Sequence, residues 1–162
     1  MKKQIKLYKK RRIEGKTDYR KRLVLLKSRS PRFVVRKSNK YLMLQVVEDI
    51  QAQDTVVQSF STKSLLKHGW PKEKDGSLKS VSAAYLGGIA LGKKVSGKIK
   101  GRIILDAGLI PNTKGSRIYA AVKGFADAGM KIPFDEKVAP EKGKIEKFPF
   151  FAAVKKNVEG LK

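Results

Sequence analysis

Positive charge is spread so unevenly along this chain that it limits where a folded body can form. The first 40 residues hold ten Lys and seven Arg against only Glu14 and Asp18, a balance of +15, and the other 122 residues carry +9. Residues 1–16 have too few apolar side chains to offset the entropy lost on ordering them. They are expected to form a basic arm (1–16) ahead of a globular α/β domain (17–134), followed by a lysine- and phenylalanine-rich tail (135–162). A formal net charge of +24 on 162 residues repels other copies and attracts polyanions. Nucleic acid is the leading partner, because phosphates collect Lys and Arg and release condensed counterions on binding. A membrane surface fits less well.

Several classes of chemistry are excluded by composition. With no cysteine, there is no disulfide framework, thiolate zinc site or cysteine nucleophile. A single histidine, His68, is too little for a histidine metal cluster or a Ser-His-Asp relay. The longest weakly apolar stretch, residues 83–92, is about half the ~20 residues that cross a bilayer. The basic start leads into more charge, not into a signal peptide's apolar segment. An intracellular, soluble protein with no cofactor, metal or membrane association is expected.

Periodicity then places the elements. Thr17 or Asp18 can cap a helix over residues 18–28, with Tyr19, Leu23 and Leu26 as an apolar stripe to lay on the body and the bases turned outward. Ser28 to Ser30 and Pro31 end it. Residues 32–37, 41–48 and 54–61 read as three strands joined by short polar turns, hence an antiparallel meander. Residues 67–80 read as a loop, with Trp70 covering the sheet edge or core. Val81, Ala84, Tyr85, Gly88, Ile89, Gly92 and Val95 mark one face of a four-turn helix. Its glycines each cost up to ~1 kcal/mol against alanine, which is tolerable if a neighbouring backbone must come close. Residues 102–106 form a strand uniformly apolar in its middle, as a central parallel strand would be. A last helix runs from Ser116, as N-cap, to Gly129. The fold is therefore α+β: a mixed sheet of about four strands in the order α-β-β-β-α-β-α, with a basic N-terminal arm and an irregular C-terminal tail. The fourth strand, which follows a helical crossover, should pair parallel with one of the first three.

Two arrangements imitate catalytic motifs. Gly87-Gly88-Ile89-Ala90-Leu91-Gly92-Lys93-Lys94 nearly spells a phosphate-cradling loop. It has Lys94 where a magnesium-binding hydroxyl is needed, no strand leading directly into it, and helical periodicity inside. Asp106 at a strand end, with Glu48, Asp49 and Asp54 as companions, could hold magnesium for phosphodiester hydrolysis. The plainer reading is that these acids end strands and build turns. Two motifs favour binding. In Arg32-Phe33-Val34-Val35-Arg36-Lys37-Ser38-Asn39-Lys40-Tyr41, valine in the middle of both strand faces implies burial there, so Arg32 and Arg36 must reach outward from the strand ends. In Pro111-Asn112-Thr113-Lys114-Gly115-Ser116-Arg117, Gly115 lets backbone approach a phosphate, and the helix start adds free amides flanked by Lys114 and Arg117.

With these residues the chain resembles the 5S-rRNA-binding large-subunit ribosomal protein numbered eighteen, in its archaeal form. The resemblance rests on Glu14-Gly15-Lys16-Thr17-Asp18-Tyr19-Arg20, on residues 31–40, and on Gly115-Ser116-Arg117-Ile118 through Asp127-Ala128-Gly129. His68-Gly69-Trp70 and Ser82-Ala83-Ala84-Tyr85-Leu86 also fall in place. It covers about residues 5–134. It implies a non-catalytic cytoplasmic protein of the ribosome that joins 5S rRNA to large-subunit rRNA at the central protuberance, beside neighbouring central-protuberance ribosomal proteins. By position, the rRNA-binding residues it implies are Tyr8, Lys9, Lys10, Arg11, Arg12, Lys16, Thr17, Tyr19, Arg20 and Arg22 of the arm and first helix. The hairpin adds Arg32, Arg36, Lys37, Ser38, Asn39, Lys40 and Tyr41, and the later loop adds Lys114, Gly115 and Arg117. The tail diverges from the family, and its Phe148, Phe150 and Phe151 are expected to dock on a neighbouring protein or an rRNA groove. The alternative is a basic nucleic-acid-binding protein outside the ribosome, such as a chromatin-like DNA binder.

Overall fold

The backbone follows the periodicity closely through the middle of the chain. The computed structural model describes residues 8–50, 53–99 and 101–161. The first seven residues of the expected arm, Gln51 and Ala52 of the expected turn, and the final Lys162 of the expected tail lie outside them. One turn of helix, α1 (Lys10–Ile13), precedes α2 (Tyr19–Lys27). Asp18 caps α2, its Oδ1 accepting from the amides of Arg20 at 3.0 Å and Lys21 at 3.2 Å. Strands β1 (Arg32–Lys37), β2 (Leu42–Ile50) and β3 (Gln53–Ser61) form the antiparallel meander, with Phe33 opposite Val46 and Leu44 opposite Phe60. After two short 3-10 turns come α3 (Val81–Val95), β4 (Ile104–Asp106) and α4 (Arg117–Asp127).

The sheet order is β3-β2-β1-β4, and β4 runs parallel to β1 with Phe33 opposite Leu105. The crossover expectation therefore holds, but β4 lies at an edge, not in the middle. Its apolar character is explained by what covers that edge. The Ile103 amide donates to the Lys131 carbonyl at 2.8 Å, so the chain leaving α4 closes over it and Ile103 is fully buried.

Phe33, Val35, Leu44, Val46 and Phe60 point to one side of the sheet and meet α3 and α4, where Phe33 and Phe125 stack at 4.5 Å. The glycines of α3 have the purpose their cost implied. A methyl on Gly88 would run into the Ala121 carbonyl and stand 2.9 Å from the Phe125 amide, and one on Gly124 would strike the Tyr85 carbonyl. The two helix backbones touch at this crossing, which only glycine permits. The phosphate-loop lookalike lies entirely within α3, helical and with Gly87 to Gly92 buried, so it cradles nothing.

The chain beyond residue 134 is more ordered than a tail with one aromatic anchor. It carries a turn of helix, α5 (Lys142–Ile145), and a nine-residue helix, α6 (Phe151–Glu159). Ile145, Phe151, Val154 and Val158 are buried in the same core as the sheet. Phe148 and Phe150 stack on each other and meet Trp70 edge-on at 5.7 and 4.9 Å. These aromatic groups thus dock on the body itself, where a neighbour or an RNA groove had been expected. Trp70 needs that cover because its loop alone cannot bury an indole.

Candidate nucleic-acid interface

The apolar stripe expected to lay α2 on the body buries only in part: Tyr19 and Leu26 are half-buried and Leu23 is exposed. No residue of α2 is buried, and Leu23 and Val24 remain 54% and 65% exposed. Its tie to the sheet is polar: Arg22 reaches Asp54 at the start of β3, at 2.9 Å. Between α2 with its preceding arm and the end of β4 with its following loop lies a groove of about 1080 Å³. Arg11, Lys16, Thr17, Tyr19, Arg20 and Arg22 line it from the arm side, Arg36 and Lys37 from β1, and Leu105 and Ile110 from the far wall. Eight of the residues named from sequence are therefore brought together around one cleft.

Tyr8, Lys9, Lys10 and Arg12 stand outside the groove on the exposed side of the arm. Tyr8 is 63% exposed, with the Arg12 guanidinium 5.0 Å from its ring centre. The half-buried Tyr19 has one face covered by the Lys9 ammonium at 4.5 Å. Arg11 Nε donates to the Thr17 hydroxyl at 2.8 Å, and Lys16 pairs with Glu14 at 2.8 Å, so the arm folds back on the start of α2. At the hairpin tip, Lys37, Asn39 and Lys40 are exposed.

Ser38, by contrast, is used by the turn. Its hydroxyl donates to the Tyr41 carbonyl at 2.8 Å and accepts from the Tyr41 amide at 2.9 Å. Tyr41 itself is half-buried under the Lys63 ammonium. Those bonds close the turn and use the hydroxyl proton and one of its two lone pairs.

Two further expectations need correction. Arg32 does not reach outward: it is 1% exposed, on the sheet face opposite Phe33 and Val35. Its guanidinium donates to Asp54 at 2.5 Å and to Asp106 at 3.1 Å. A buried cation must be paired, and the register brings the start of β3 and the end of β4 to the same spot. The anion site at Gly115 is also partly filled. Gly115 has φ +70, as its residue type suggested, but its amide donates to Val138 at 2.9 Å and the Ser116 amide to Thr113 at 3.1 Å. Ser116 occupies the N-cap position without making a side-chain cap bond. Lys114 is exposed, and Arg117 partly so. Neither they nor Gly115 lines the groove.

Asp54 and Asp106 read from the sequence as turn acids or magnesium ligands, but the structure places both inside this interface. The Asp106 carboxylate accepts from Arg32, from the Gly108 amide at 2.9 Å, and lies 3.6 Å from Arg36. It is saturated by donors rather than open to a cation. Burial alone would raise the Asp54 carboxyl, but the Arg22 hydrogen bond and the Arg32 charge outweigh it and hold it below its ordinary value. The signal that could have found these acids was an arginine between valines that imply burial: such a residue demands carboxylates, and strand-end aspartates were the nearest supply.

Comparison with known proteins shows the family. The sequence profile of the ribosomal large subunit proteins 60S L5 and 50S L18 matches residues 2–102 and 97–135. Large ribosomal subunit protein uL18 of Korarchaeum cryptofilum is 44% identical over 135 residues, 83% of this chain and 67% of that protein. Its counterparts from Methanoculleus marisnigri and Caldivirga maquilingensis are 40% and 41% identical over 84% and 83% of this chain, covering 75% and 64% of their own lengths. The chain thus spans roughly two thirds to three quarters of these relatives. The arm, the groove and the hairpin all fall inside the matched region, and the chain belongs to the family of ribosomal large-subunit proteins 60S L5 and 50S L18, structural components of the ribosome rather than enzymes.

Proposed function

We propose that this protein binds 5S rRNA and holds it against large-subunit rRNA at the central protuberance, as a scaffold without chemistry of its own. One observation carries the reading: cations from the arm, from α2 and from β1 surround a single groove, with exposed Tyr8 and the basic hairpin tip beside it. Such a surface suits folded RNA better than duplex DNA. Phosphates meet the lysines and arginines, while looped bases offer faces to a ring such as Tyr8. The deep groove of A-form RNA is closed to side chains, so recognition rests on RNA shape and unpaired bases. About eight neutralised phosphates would give a log–log salt slope of about −6 to −7.

Arg36 provides the test. It is half exposed on the groove wall, and its guanidinium rests over Gly108. Arg36→Ala is expected to weaken binding to 5S rRNA about tenfold, the scale of one charge-assisted contact, and to affect unrelated duplex RNA much less. Equilibrium titration of both RNAs measures this. Equal losses would mean the hairpin contributes only bulk charge.

A further inference from the structure

The cations at the groove are not independent of each other. Arg22, Asp54, Arg32, Asp106 and Arg36 form an unbroken ladder of alternating charge, with successive separations of 2.9, 2.5, 3.1 and 3.6 Å. It joins α2, the start of β3, both ends of β1 and the end of β4. Its middle member is fully buried, whereas the terminal guanidiniums of Arg22 and Arg36 are one-third and one-half exposed and line the groove from opposite sides. α2 fully buries no residue of its own and has only Tyr19, Arg22, Leu25 and Leu26 half-buried, so the Arg22–Asp54 pair is its ion pair to the sheet.

We propose that this ladder is the positioning device of the RNA interface: Asp54 and Asp106 fix α2 and the two terminal arginines in the geometry the RNA requires. The two carboxylates therefore promote binding to a polyanion whose charge they share. This rests on the RNA-binding reading above and adds to it which residues arrange the surface. The physical basis is preorganisation. A long arginine held by a carboxylate loses less freedom on meeting phosphate, and a helix already seated needs no ordering at the moment of binding.

The prediction has a sign that charge counting does not share. Asp54→Asn raises the net positive charge by one, and counterion release alone would then tighten binding to every RNA. The ladder predicts the reverse for 5S rRNA: a loss of about tenfold, the scale of breaking one partly buried charge-assisted pair. Affinity for unrelated duplex RNA should be unchanged or slightly higher. Asp54→Glu, which keeps the carboxylate, should recover most of the loss. In the full-length protein without RNA, hydrogen exchange at the amides of α2 should be faster in Asp54→Asn than in the unsubstituted chain.

Equal or tighter 5S rRNA binding by Asp54→Asn overturns the proposal, and so does unchanged exchange in α2. If Asp54→Asn does not fold, Arg22→Met takes its place, because Arg32 then keeps both of its acids. Faster α2 exchange and a larger loss for 5S rRNA than for duplex RNA support the ladder, and equal losses with unchanged exchange overturn it. An unsubstituted protein with no preference for 5S rRNA would instead refute the RNA assignment on which this rests. Unchanged α2 exchange with that preference intact refutes the ladder alone.

Discussion

Arg32→Ala is expected to lower folding stability by about 3–5 kcal/mol, the cost of breaking a buried ion pair by removing one partner. Arg36→Ala, four residues along the same strand, should cost under about 1 kcal/mol, as exposed pairs do. The contrast follows from surroundings rather than residue type. Arg32 is fully buried and bridges two carboxylates, one of them, Asp106, nearly buried itself. Without the guanidinium, Asp106 keeps only the Gly108 amide and the more distant Arg36, and a cavity opens beside Val34 and Val47 on that face of the sheet. Denaturant unfolding followed by circular dichroism measures both variants. A loss under about 1 kcal/mol for Arg32→Ala would show that its charge is effectively solvated, and the ladder would lose its buried centre.

Deleting residues 145–162 is expected to abolish cooperative folding or lower the unfolding midpoint severely. The deletion removes Ile145, Phe151, Val154 and Val158 from the core. At about 1.5–3 kcal/mol of transfer free energy for each such side chain, the gross loss is comparable to the whole stability of an ordinary domain, about 5–15 kcal/mol. It also uncovers Trp70, whose ring is buried by Phe148 and Phe150. A thermal melt of the truncated chain decides the matter. An unchanged midpoint would mean that α6 is an appendage and that the aromatic cluster belongs to a partner's surface.

These two regions are also where the sequence was hardest to read. The β1–β2 hairpin was legible because two runs rich in β-branched and apolar residues flank a short polar turn. The glycines of α3 were legible because their cost demanded a close neighbour, which α4 supplies at Gly124. The α6 helix left a weaker trace. Phe151, Val154 and Val158 do fall at i, i+3 and i+7, but the run is short, lies two residues after Pro149 and is crowded with lysine. Local pattern could not distinguish it from a solvated tail. Burial there is decided by Trp70 and α3, far away in sequence.

Arg32 shows the same limit at the interface. Valines on both faces of β1 announced burial, yet charge alone argued that the arginine must escape it. Only the register, with Arg32 opposite Val47 on one side and Ile104 on the other, reveals that two aspartates from distant segments arrive to meet it. Gly115, which the sequence marks as a place for backbone to approach a phosphate, has φ +70, and the acceptor for its amide is Val138, in the segment whose structure the sequence concealed. The cations around the groove were legible as a group because exposure needs no tertiary information. The acids that arrange them were not.

Which RNA the protein selects is the most direct test of RNA binding at this groove. Full-length protein purified from its own cells at moderate salt, with the bound RNA extracted and sequenced, is predicted to yield 5S rRNA enriched far above its share of cellular RNA. Recovery of transfer RNA, messenger fragments and ribosomal RNA in proportion to their abundance would contradict it.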